Sequence, residues 1–153
     1  MVAEALTAPR RQATPLRPVP RQDAALLVLA SVGLVDSAYL WISSLAKTPP
    51  FCPTYGAIDC GAVTSSPFSH VFGVSVALLG LLWFAAMLGL AAWRPSFFPY
   101  LALPLWLVGM LTVGYLVYIE AFVLHAVCVY CTLAHVCNIL MGVPVLRLTL
   151  SEI

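Results

Sequence analysis

Polar and apolar positions divide the chain into four long apolar runs with polar breaks between them. The runs cover about 24–46, 70–93, 97–122 and 126–146. Each reaches the ~20 residues a helix needs to cross a bilayer. The pattern predicts an all-α membrane protein, a bundle of four transmembrane helices over residues 23–148. Residues 1–22 read as a disordered cytoplasmic tail, with Pro9, Pro15, Pro18 and Pro20 against helix and Arg10, Arg11, Arg17 and Arg21 for water. The first apolar run is long enough to remain as an anchor, and no small-residue cleavage site follows it. Residues 47–69 form the one long loop, rich in Pro, Gly and hydroxyl residues.

Composition sharpens this picture. Of 153 residues, 62% are apolar and 8% charged, against about 25% charged in ordinary globular domains. That is too little charge to solvate a surface. Net charge is +1 and no basic cluster sits beside aromatics, so nothing points to nucleic acid. Asp36 lies within the first run, where a carboxyl is costly and should face the bundle interior, near a site or in a packing hydrogen bond.

Charge also orients the bundle. Four spans put the tail, the Arg94 turn and the C-terminus on one face, with Arg10, Arg11, Arg17, Arg21, Arg94 and Arg147. The other face holds only Lys47. The excess of arginine puts both termini in the cytoplasm. Two cysteine pairs then lie outside: Cys52 and Cys60 in the loop, and Cys128 and Cys131 where the last span begins. Disulfides persist on that side.

Cys128-Val129-Tyr130-Cys131 is the chemical centre. Residues three apart on a helix are neighbours, so the sulfurs can meet. The free N–H groups of a first helical turn favour thiolate. Inert packed thiols or half a zinc site are the alternatives. A loop dithiol above a helix-borne dithiol can pass electrons by disulfide exchange. The loop pair reaches water and a protein partner, while the helix pair at the lipid boundary reaches a lipid-soluble acceptor such as a quinone. Cys137, six residues beyond Cys131 and roughly 9 Å deeper, is turned off that face and reads as a core thiol.

Cys52, Cys60, Ser66, the Phe72-Gly73 pair, Gly80 and Cys128-x-x-Cys131 together resemble the vitamin K epoxide reductase family in its bacterial form, across residues 24–147. The resemblance implies a four-helix bundle around a quinone, ubiquinone or menaquinone or similar, serving disulfide bond formation. It implies catalytic roles for all four cysteines. Cys52 exchanges with a thioredoxin-like partner, Cys60 attacks Cys128, and Cys131 stands nearest the quinone. Animal members carry an asparagine where this chain has Ser69, which favours plain quinone reduction over epoxide reduction. Many bacterial members carry a fused thioredoxin-like domain; this chain ends at Ile153, so the partner is expected to be separate.

Four further residues are candidates for the quinone pocket. Ser66 could bond a quinone carbonyl or cap a helix before Pro67. His135 lies one turn below Cys131 on its face. Tyr115 and Tyr118 lie in the outer half of the third run, as pocket lining or as interfacial anchors. Glu120 could relay protons or sit among headgroups, and His70 and His125 have no assigned task. A metal-binding or metal-transport protein using the outer thiols is the rival reading, disfavoured by the loose C-x₇-C spacing and by an oxidising compartment. A structural membrane subunit with incidental disulfides is the third.

Overall fold

The computed structural model describes residues 21–52 and 55–152. The tail expected over residues 1–22 falls mostly outside them, but Arg21 and Gln22 already belong to the first helix. Helix α1 spans Arg21–Ala46, α2 Cys60–Thr64, α3 Val76–Trp93, α4 Phe98–Tyr118 and α5 Val129–Glu152. All except α2 belong to the four segments long and apolar enough to cross a membrane. The sequence-based fold stands: a four-helix transmembrane bundle whose first loop carries a cysteine pair.

The helices alternate in direction, so the end of α1, the start of α3, the end of α4 and the start of α5 share one face. α1 packs on α3 and α5, and α4 packs on α5. Small residues allow the close approach expected between membrane helices. A Cβ on Gly33 of α1 would overlap the Phe84 ring of α3, and one on Gly142 of α5 would overlap the Trp106 ring of α4. Each of two tryptophans donates across a helix pair. Trp83 Nε1 bonds the Leu105 carbonyl at 3.0 Å, and Trp106 Nε1 bonds the Asn138 carbonyl at 2.9 Å.

The tight core lies in the half away from the paired cysteines. Leu26, Ala30, Met87, Phe98, Met141 and Val145 are nearly or fully buried there. Cys137 belongs to the same cluster, as its position in the apolar run implied. Asp36 is buried, facing the interior as expected.

Three of the spans differ in their ends from the hydropathy reading. The second span does not start at His70. His70–Val71 and Val74–Ser75 form strands β1 and β2, paired His70 to Ser75 and Val71 to Val74. Phe72 and Gly73 make the two-residue turn, both with positive φ (51° and 81°). Such a turn requires left-handed backbone at both central positions, which glycine supplies without strain. Helix therefore begins only at Val76. The third span ends in a wide π-helical turn over Ile119–Leu124, rather than at Phe122. The fourth starts at Val129 and continues through Glu152, not 126–146.

Candidate functional site

The C-x-x-C pair sits at the mouth of α5. Cys128 is the last residue before the helix, and its carbonyl accepts from the Thr132 N–H at 2.9 Å. Its sulfur does what a capping oxygen usually does, accepting the Cys131 N–H at 3.3 Å. Both are thiols; Cys128 is fully buried and Cys131 half-buried. The Cys131 side chain also donates to Cys128, and that bond, more than the backbone N–H groups, holds the Cys128 thiol below the ordinary thiol range. Burial and the nearby Glu120 carboxylate oppose the shift without reversing it. The Cys128 shift therefore runs in the expected direction, but its main cause is the Cys131 thiol and not the helix start.

The loop pair is closed. Cys52 and Cys60 form a disulfide with a Cα separation of 6.0 Å, which removes two of four thiols from any joint metal site. Among the described residues, no group of three or more His, Cys, Asp or Glu could hold a metal ion. Cys60 opens α2, whose N-terminus is capped by Asp59, with Oδ1 accepting the Ala62 N–H at 2.9 Å. A backbone strap ties this segment to the approach to α5. The Val127 N–H donates to the Ala57 carbonyl at 2.8 Å, and the Asp59 N–H donates to the Val127 carbonyl at 3.1 Å. These bonds form a parallel bridge between Ile58 and Val127. Cys60 follows Asp59 directly, and Cys128 follows Val127 directly, so one strap brings the two buried cysteines onto neighbouring backbone.

Below Cys131 lies a cavity of about 370 Å³ with mainly apolar walls, within the size range of small-molecule sites. Its polar lining includes Ser66, Glu120, Cys131, His135 and Asn138. The cavity is large enough for a quinone ring, and its few polar groups suit two carbonyl oxygens. Of the four pocket residues expected from sequence, Ser66, His135 and Tyr115 line it. Tyr118 does not: it is half exposed, and its ring packs on Phe122 at 5.3 Å between centroids. The two tyrosines are similarly exposed, but Tyr118 stands at the end of α4, where the π-helical turn begins, and only Tyr115 borders the cavity. The Ser66 hydroxyl is already engaged, donating to the Val63 carbonyl at 2.8 Å, which leaves it only acceptor capacity. It heads the short 3₁₀ turn Pro67–Ser69 without capping it through its side chain. Ser69 also lines the cavity, and its hydroxyl donates to the Ser66 carbonyl at 2.7 Å.

Two contributors had weaker sequence signals. Asn138 is 3% exposed, and its side-chain oxygen has no hydrogen-bond partner. It follows Cys131 and His135 at i+7 and i+3, the spacing of a single helical stripe, and that spacing could have found it. Glu120 is buried because the π-helical turn reorients the end of α4; such turns recur at functional sites. Its carboxylate accepts a hydrogen bond from the Cys128 backbone N–H.

Residues 24–146 match the vitamin K epoxide reductase family. The chain belongs to that family. Vitamin K epoxide reductase family membership makes it a multi-pass membrane oxidoreductase of the thiol–quinone type. The geometry above agrees, with two cysteine pairs at one mouth of the bundle and a cavity beneath the inner pair.

One consequence can be titrated. Cys131→Ala removes the thiol that donates to Cys128 and should raise the Cys128 midpoint towards that of a free thiol. Cys137→Ala, altered only in the distant core, should leave it in place. Ultraviolet absorbance of the thiolate against pH reads both; an unmoved midpoint in Cys131→Ala contradicts the assignment of that shift.

Proposed function

We propose that the protein carries electrons from a thioredoxin-like partner on the extracytoplasmic side to a membrane quinone, supporting disulfide bond formation, with both termini in the cytoplasm. The partner's thiolate attacks Cys52 and expels Cys60 as thiolate. The partner's second thiol resolves the mixed disulfide, leaving the partner oxidised and the loop pair reduced. Cys60 then attacks Cys128 of the closed inner pair and expels Cys131. Cys52 resolves the Cys60–Cys128 bond, so the loop disulfide reforms and the inner pair holds the two electrons. The inner dithiol gives two electrons and two protons to the quinone, yielding quinol, and closes as Cys128–Cys131.

The observation that carries this reading is the Ala57–Asp59 strap on Val127, which sets Cys60 beside Cys128 while Cys131 faces the cavity. Glu120 and His135 line that cavity with Cys131 and are proposed to move the thiol protons to the quinone oxygens. Asn138, with an unpaired amide oxygen, accepts from the quinol hydroxyl. Ser69 in place of asparagine supports quinone over epoxide as the acceptor.

In right-side-out membrane vesicles, a reduced protein donor added outside should drive quinone reduction. Cys52→Ala should abolish this while dithiothreitol still feeds the inner pair. Cys131→Ala should abolish turnover with either donor. Activity of the protein donor only in inverted vesicles would reverse the orientation, and dithiothreitol turnover in Cys131→Ala would reverse the order of the relay. For the proton step, Glu120→Gln keeps the shape and the acceptor facing the Cys128 N–H. It should lower kcat by about 10²-fold with quinone KM little changed, the scale of a lost general acid–base group; a kcat near wild type removes Glu120 from the proton path.

A further inference from the structure

Two tyrosines outside the redox pairs grip the loop by its backbone. The Phe51 N–H donates to Tyr39 Oη at 2.9 Å, and Tyr130 Oη donates to the Phe51 carbonyl at 2.8 Å. Their rings lie 5.0 Å apart between centroids. Tyr39 belongs to α1. Tyr130 lies between Cys128 and Cys131, and Phe51 immediately precedes Cys52. Pro50 is buried but the Phe51 side chain is 89% exposed, and both polar groups of the Phe51 backbone are held by the two hydroxyls. Neither tyrosine lines the cavity below Cys131. They bound a separate groove between α1 and α5 with Val35, Asp36 and Leu133.

The loop therefore has two anchors of different kind. The Val127 strap fixes the Cys60 side, and Cys60 is buried. The tyrosines fix the Cys52 side, where the sulfur is only half-buried and the hydrogen bonds are exposed. An incoming protein thiolate must reach Cys52 from the side opposite its leaving group, Cys60. A folded partner offers its thiol from one surface in one orientation, so a fixed Cys52 lowers the cost of that approach. When the Cys52–Cys60 bond opens, the covalent tether is lost and the Phe51 grip remains. A small dithiol can approach from many directions and does not need it.

We propose that Tyr39 and Tyr130 are positioning residues that clamp the Phe51 peptide, hold Cys52 over the inner pair, and make exchange with a protein dithiol depend on their two hydroxyls. The proposal rests on the relay reading above. Tyr39→Phe/Tyr130→Phe removes only those hydroxyls. With reduced thioredoxin as donor, kcat/KM should fall roughly 5- to 30-fold, the range set by losing two ordinary hydrogen bonds. The dithiothreitol-driven rate and the quinone KM should stay at the parent values. Equal losses with both donors, or a loss with neither, overturn the clamp. A second measurement does not need turnover. In a background with Cys60, Cys128, Cys131 and Cys137 all replaced by Ala, where Cys52 is the lone thiol, the double variant should react several-fold faster with a bulky maleimide. An unchanged labelling rate overturns the clamp. If the parent reduces no quinone with either donor, the relay reading falls, and the labelling still decides the clamp.

Discussion

The structure depends on one short piece of backbone pairing, residues 57–59 against Val127. Loops over a membrane bundle normally have water as their hydrogen-bond partner, and nothing requires them to dock. Here a parallel bridge replaces that water and fixes the loop disulfide to the entry of α5. The Asp59 cap then starts α2 at once, so Cys60 enters a helix where it leaves the bridge. Cys128 leaves the bridge into α5 in the same way. Two helix starts are thereby brought side by side, each with a cysteine at its mouth. At α5 the Cys131 thiol, helped by backbone N–H groups, favours the Cys128 thiolate.

The bundle divides its work by depth. The half away from the paired cysteines is closed by interlocking apolar side chains and by glycines that admit aromatic rings. The half beneath the cysteines is left open as a cavity, with its few polar groups turned inward. In hydrocarbon a polar group needs a partner or a site. Asn138 has an unpaired buried oxygen and faces that cavity, which accounts for its survival in an apolar run. Asp36, whose second oxygen is also unpaired, borders the groove on the tyrosine side.

Much of this was legible in the sequence, because the bilayer is a demanding solvent. Four apolar runs left few choices, and the cysteine spacing with the family resemblance identified both pairs. The losses have specific causes. Val71, Val74 and Val76 are as apolar as a helix of the bilayer, so hydropathy ran the span back to His70. Only the Phe72-Gly73 turn chemistry marks the hairpin, and hydropathy does not register it. Tyr118 shares a helical stripe with Tyr115 in sequence, but it stands at the end of α4, where the π-helical turn begins, and does not border the cavity. The Tyr39–Phe51–Tyr130 contact joins residues 12 and 79 positions apart through a backbone peptide, which leaves no mark in residue type.

The central claim is that Cys60 and Cys128 are the sulfurs through which the two pairs exchange. The direct measurement removes the other member of each pair, with Cys52→Ala and Cys131→Ala in one chain also carrying Cys137→Ala. Mild oxidation in the membrane, followed by mass spectrometry of the peptides, then reports which sulfurs can bond. An intramolecular Cys60–Cys128 disulfide, formed in most molecules, is the result this account predicts. Two thiols that remain free, or bond only between separate molecules, would contradict it.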